Sequence, residues 1–382
     1  MLANGLYNVV NRIFVGQALG PVGIAGTTVA FPFMLILLAF GMLVGLGATA
    51  LISIRLGEQR RDEAEQVLGN ALTLLVLVFL VITVLGLLLL DPLLVVFGAS
   101  RNVLPYAREY LQIILLGSVF QGLSFGMNHP IRGEGNPRIA MLTMILGAAL
   151  NMILDPIFIF GFGWGMRGAA LGTVISQMAA TVWVLYYFLS GRSLLKLRLV
   201  NLPLRRPICL AICAIGSPPF AMQIAASLLN SILNNQLCAY GGDLAISVMG
   251  IIYAVVMMIA MPVFGINQGA QPIIGYNYGA QEYRRVKRTL VYAIAAASVI
   301  TTCGFLVTML VPSAVVRLFN RNDPHLAALG VHAIRIATVL LPIVGFQIVS
   351  ANYFQAVGKP KEAMLLSLAR QILLLIPTVL IL

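Results

Sequence analysis

The sequence predicts an all-α integral membrane protein of two six-helix lobes, and three observations predict it. Hydrophobic residues fill 60% of the 382 positions and charged residues only 9%, against roughly 25% charged in an average soluble domain. Eleven apolar stretches lie near 1–17, 28–53, 69–97, 106–128, 138–160, 166–190, 207–238, 245–276, 289–315, 329–356 and 361–382, and about 20 apolar residues suffice to cross a hydrocarbon core. The chain also matches itself, at an offset of 222 from residue 6 to 71 and at nearby offsets later, so both halves carry the same glycine punctuation in the same order.

Taken in order, the spans read as helices. The first opens inside an apolar run, without the charged leader and small-residue cleavage site of a signal peptide; its Arg12 lies near the outer end and can snorkel. The third contains Leu72 to Leu90, apolar on every side, whereas a barrel strand would be about ten residues of alternating polarity. The fifth is interrupted by Asp155 and Pro156. The seventh and eighth carry polar runs: Asn230, Ser231, Asn234, Asn235 and Gln236, then Asn267, Gln268 and Gln271. These side chains either line a cavity or hold helices together. The eleventh carries Arg370, which either neutralises an acid or anion or reaches the interface.

The net charge of +12 is spread over short loops rather than gathered in one patch, which argues against nucleic acid. Loops after even-numbered spans, with their edges, hold sixteen Lys and Arg, among them Arg284, Arg285, Lys287 and Arg288; those after odd-numbered spans hold five. The positive-inside rule places the even loops in the cytoplasm. Cys209, Cys213, Cys238 and Cys303 fall in or beside apolar helices without CxxC spacing, so neither a zinc site nor a disulfide framework is expected. No Walker-type loop or HExxH pair occurs, which predicts a protein that is not an enzyme, takes no cofactor and runs on an ion gradient.

The repeat is specific. An offset of 222 brings Asn8 onto Asn230, Gly20 onto Gly242, Gly47 onto Gly269, Ala48 onto Ala270, Gly57 onto Gly279 and Gln59 onto Gln281. Later, Phe120-Gln121 and Ser124 match Phe346-Gln347 and Ser350, and Gly135-Asn136-Pro137-Arg138 matches Gly358-Lys359-Pro360-Lys361. Six spans separate equivalent positions, so the halves enter the membrane in the same direction, as in transporters with parallel repeats. The expected lobes are 1–200 and 201–382, with helix 1 partial and helix 12 absent from the chain.

Eleven of the twelve acidic residues lie in loops or near span ends, and Asp155 is the exception. An ionised carboxylate inside the hydrocarbon is costly unless paired or hydrated. Burial disfavours its charged form and a bound cation favours it, as a proton or sodium coupling site requires. Asn151, at i−4, shares a helix face with Asp155, and oxygen ligands suit a hard cation such as Na+. Pro156 lacks an N–H and clashes with the carbonyl of residue 152, so the helix should bend there. The alternative is a carboxylate that merely packs against a neighbouring helix.

The run Tyr7-Asn8-Val9-Val10-Asn11-Arg12-Ile13-Phe14-Val15-Gly16, with Ala30-Phe31-Pro32, Gly45-Leu46-Gly47-Ala48, Arg132-Gly133-Glu134-Gly135-Asn136-Pro137, Asn151 through Asp155-Pro156, and Gly168-Ala169-Ala170, resembles the multidrug and toxic compound extrusion (MATE) family over essentially the whole chain. The resemblance implies twelve helices in two lobes, a V-shaped cavity, and export of amphipathic, often cationic compounds against entering H+ or Na+ by alternating access. It implies a first-lobe cation site at Asp155, Asn151, Asn11 and Thr173, with Tyr110 and Asn128 on the same cavity. Asn11 stands where the family commonly has Asp, leaving one carboxylate instead of two. In the second lobe, Thr378 stands at or beside the place equivalent to Asp155. A monomer in the plasma (inner) membrane is expected, with small molecules and lipid as partners. Two other readings are a lipid-linked saccharide flippase of the same superfamily and a non-transporting scaffold or defective relative.

Overall fold

A computed structural model describes the backbone of residues 2–97, 99, 101–319 and 324–368, and their side chains except at 2–13, 16, 20–22, 24, 227–247, 317–319 and 324–328. Helices follow one another as α1 Leu2–Gly57, α2 Arg61–Leu88, α3 Leu90–Val96, α4 Leu104–Leu116, α5 Ser118–Gly126, α6 Asn128–Gly133, α7 Pro137–Pro156, α8 Gly165–Leu189, α9 Arg206–Gly279, α10 Tyr283–Leu310, α11 Pro312–Phe319, α12 Pro324–Thr338, α13 Leu341–Ala356 and α14 Pro360–Leu368. Local chemistry sets several of their starts. Asp62 and Glu63 sit in the first turn of α2, where the helix dipole favours negative charge. Asn136 caps α7 by accepting from the Ile139 amide at 3.4 Å, with Pro137 opening the helix.

Among the described residues, seven helices are long and apolar enough to cross a membrane, and two bent pairs bring the total to nine. These nine coincide with the second to tenth expected spans; the first and eleventh lie largely outside the described side chains. The bends occur between Leu116 and Ser118, at 56°, and between Thr338 and Leu341, at 42°. At the first, a Cβ on Gly117 would meet Val174 at 2.4 Å, so glycine lets the corner press against α8. Two helical ladders are longer than expected. α1 and α9 run unbroken through 18–27 and 239–244, where the sequence predicts connections. No charged residue in the first stretch and only Asp243 in the second calls for a water-facing turn.

The repeat is visible in the backbone itself. α1 and α9 end at the equivalent Gly57 and Gly279, and both ends of α2 and α10 correspond at the offset of 222. Gln59 and Gln281 hold matching left-handed conformations, with φ of 62° and 60°. Glycine lets the halves meet closely. A Cβ on Gly57 would fall 2.0 Å from the Tyr276 carbonyl oxygen, and one on Gly279 would fall 2.1 Å from that of Ile54, the reciprocal contact. Gly216 brings α9 equally close to the Leu43 carbonyl of α1. In contrast, Gly47 packs against Ile212 while its repeat partner Gly269 meets nothing within 4 Å. Helices in lipid associate through such close approach rather than through hydrophobicity.

Residues 190–205, which join the halves, lie along α2. The Lys196 amide donates to the Glu65 carboxylate at 3.0 Å, Asn70 Nδ2 to the Asn201 carbonyl at 3.2 Å, and Thr73 Oγ1 to that of Leu202 at 2.8 Å. Glu134 ties the same segment to α6, accepting from Ser193 Oγ at 2.5 Å, from the Leu195 amide at 3.3 Å and from the Tyr187 hydroxyl. Burial raises the Glu134 carboxyl above its ordinary range, while those hydrogen bonds act in the opposite direction. A carboxyl raised in the folded state is better protonated there than in the unfolded chain. The stability it contributes is therefore fully present below the unfolded value of about 4.3 and is lost as pH rises through the folded value. The unfolding temperature of the detergent-solubilised protein is expected to fall relative to Glu134→Gln across that window. Parallel pH profiles would show that this group does not titrate on folding.

Candidate functional site

The site is built where α7 meets α8. Asn151 and Asp155, one turn apart on α7, are 3% and 1% exposed, and Thr173 of α8 faces them at 4%. Asn151 Nδ2 donates to Asp155 Oδ1 at 3.0 Å and approaches Thr173 Oγ1 at 3.4 Å. Thr173 Oγ1 donates to the Ala169 carbonyl at 3.0 Å, which leaves its lone pairs toward Asn151. Asn151 Oδ1 is buried with no hydrogen-bond partner among the described residues. One carboxylate, an unpaired amide oxygen and a hydroxyl thus share a space closed to bulk water. This donor set fits a proton or a small hard cation, and a buried carboxylate with no basic partner among the described residues has strong reason to take one up.

Two backbone features shape the site. α7 does not simply bend at Pro156 but widens into a π-turn, Ile157–Gly161, as the missing N–H interrupts the ladder beside the acid. On the facing helix, a Cβ at Gly172 would lie 2.3 Å from Asp155 Oδ1, so any side chain there would push the carboxylate aside. Trp164, just beyond the π-turn, stacks on Phe158 within it and on Phe162, with centroids 5.5 and 5.1 Å away, as aromatic residues cluster at a membrane interface.

The other expected residues are placed differently. The side chains of Asn11 and Asn230, and all of Arg370 and Thr378, lie outside the described residues. Tyr110 is buried on α4 with its hydroxyl 3.9 Å from Met34 Sδ. Asn128 spends both ends of its amide elsewhere: Nδ2 donates to the Ala140 carbonyl at 2.9 Å and Oδ1 accepts from Arg132 at 2.6 Å. In the second half, Asn267 Nδ2 reaches the Ile348 carbonyl at 3.5 Å, a weak interhelical link, while Asn267 Oδ1 and the buried Gln271 Nε2 have no partner among the described residues.

Sequence reasoning missed two participants. Gly172 carried no signal, because its constraint comes from a side chain on another helix. Arg132 counted as a loop cation, yet it is buried and donates across the halves to Gln268 Oε1. Its position at the end of a span, six residues before Arg138, hid that role.

Comparison with known proteins agrees with this architecture. The MatE family profile matches residues 1–157 and again 218–381, one match to each repeat. The chain is 28% identical over 369 residues to the multidrug export protein MepA of Staphylococcus haemolyticus, covering 97% of this chain and 81% of that protein. It is 27% identical over 377 residues to MepA of Staphylococcus aureus, covering 98% and 82%. Among solved structures, the MATE multidrug transporter DinF-BH superposes with a TM-score of 0.93 at 42% identity, over all of this chain and 85% of that one. A MOP superfamily transporter from Pyrococcus furiosus superposes with a TM-score of 0.93 at 26% identity, with the same coverage. With its doubled profile match, its repeated helical lobes and a buried carboxylate on the fifth expected span, the chain belongs to the MatE family of multidrug and toxic compound extrusion transporters.

Proposed function

We propose that this chain is a secondary active multidrug exporter that moves amphipathic, often cationic small molecules outward in exchange for H+ or Na+. The observation that carries the reading is the buried Asp155, Asn151 and Thr173 group between α7 and α8. An ionised Asp155 in this setting is costly until a cation neutralises it. A proton, a sodium ion or a cationic drug can each do so, and all three compete for one charge. Competition makes the exchange obligatory: the drug leaves only as the ion enters. The lobes 1–200 and 201–382 would rock about their glycine-lined contact, with the basic even-numbered loops in the cytoplasm.

The test is transport of a cationic rhodamine dye in everted membrane vesicles under imposed proton and sodium gradients in turn. Dye accumulation is expected to follow one of the two gradients. Accumulation indifferent to both would overturn ion coupling.

Gly172 supplies an independent prediction. Gly172→Ala displaces the Asp155 carboxylate by crowding Oδ1, and coupled transport is expected to fall about 10- to 100-fold, as small misplacements of a reacting group do. Gly147→Ala is the matched control, since its Cβ would meet only Ala180 Cβ at an ordinary 3.7 Å. Equal rates in the two variants would show that the position of the carboxylate is unimportant.

A further inference from the structure

We propose that the connection between the two lobes is a membrane anchor that binds anionic phospholipid. Residues 190–206 contain Arg192, Lys196, Arg198, Arg205 and Arg206 and no acidic residue. The segment bends through 193–195 and is extended at Arg198, with Ser193 and Leu195 buried while Leu194, Lys196 and Arg198 are exposed. At its apex, a single turn Leu199–Asn201 presents Leu199 and Val200 at 83% and 80% exposure, the highest of any large hydrophobic side chains described. Apolar residues this exposed are ordinary on a lipid-facing helix, but on a water-facing loop they would be unfavourable.

Depth along α2 explains them. The segment is held first at Glu65, then at Asn70, and at Leu202 by Thr73. Eight residues of helix rise separate the first and last of these points, about 12 Å. Gly69 lets it lie flush, because a Cβ there would meet the Asn201 carbonyl oxygen at 2.3 Å. The connection therefore climbs from the polar start of α2 toward its apolar part, with Leu199 and Val200 between the levels of Glu65 and Asn70, where the headgroup layer meets the acyl chains. Arg205, whose amide is held by Asn70, turns its guanidinium back to Gln66 Oε1 at 2.8 Å, the direction of a snorkelling cation. Arg198 pairs with Glu65 at 3.2 Å. Among the described residues, no carboxylate pairs with Arg192, Lys196, Arg205 or Arg206. An apolar tip on a segment with four cations that no described carboxylate neutralises matches the headgroup and acyl layers of an anionic leaflet.

The probe is L199W in the full chain, reconstituted with acyl-brominated phosphatidylglycerol or acyl-brominated phosphatidylcholine at equal mole fraction. The parent protein serves as background for Trp164 and Trp183. Quenching beyond that background is expected from both lipids and at least about two-fold more from phosphatidylglycerol. The preference should vanish when R192Q, K196Q, R205Q and R206Q are combined. V200W should repeat the result, since both side chains are exposed and neither fills the core. Absence of extra quenching by either lipid would place the apex in water and overturn the proposal. Equal quenching by the two lipids with the cations in place would overturn it as well. The experiment reads no transport, so its outcome is independent of ion coupling.

Discussion

Asp155→Asn is expected to abolish the drug gradient that the parent protein sustains. Each pH unit of proton gradient is worth about 1.4 kcal/mol per proton, a factor of ten in drug concentration for one-to-one exchange. Across 2 pH units the parent should therefore hold a drug ratio of about 100, and the variant a ratio near 1. If sodium is the coupling ion, the same collapse is read under a sodium gradient. Asn is close to isosteric with Asp and still offers Asn151 Nδ2 an oxygen, so the contact at 3.0 Å can survive while the charge is lost. The amount of protein in the membrane is measured alongside, which separates loss of coupling from loss of fold. A parent-like drug ratio in the variant under both gradients would place the coupling group elsewhere.

The second large effect is structural. Gly57→Ala and Gly279→Ala each drive a methyl group into a backbone carbonyl of the opposite lobe, at 2.0 and 2.1 Å. No rotamer change can relieve a clash between Cβ and main chain, so the helices must separate. Overpacking of this kind costs typically about 1–3 kcal/mol, and the unfolding temperature in detergent is expected to drop by several degrees for each variant. Because the two contacts are reciprocal, the first substitution opens the space that the second would need. The double variant should thus cost clearly less than the sum of the singles, as neighbouring sites do. Strict additivity, or no loss of stability, would mean that α1 and α9 do not close on each other at this point.

Much of this architecture was legible in the chain, for reasons that differ by residue. Span lengths follow from apolar runs, which are local, and the offset of 222 was legible in the residues, while the shared ends of α2 and α10 came from the structure. Asp155 and Asn151 were legible together because i and i−4 share a helix face. Thr173 is different: it lies 22 residues from Asn151 on another helix, and only the family resemblance pointed to it. Asn128 was placed beside the cavity by the family resemblance, and its hydrogen bonds to Ala140 and Arg132 are a tertiary detail that the sequence does not record. The repeat aligned Gly47 with Gly269, and of the two only Gly47 makes a close contact.

Composition and periodicity by themselves determined that the chain crosses a membrane as helices, that its two halves repeat in parallel, and that one carboxylate lies where a charge is costly. These properties depend on the hydropathy and spacing of neighbouring residues. Only the tertiary structure decided that Gly172 lies close against the Asp155 carboxylate, that Arg132 reaches across to Gln268, and that the inter-lobe connection lies along α2 with Leu199 and Val200 outward. In lipid, helices pair through close backbone approach and a few polar contacts rather than through hydrophobic burial. Which glycine meets which carbonyl is therefore set by how the helices cross, and a one-dimensional pattern does not record that.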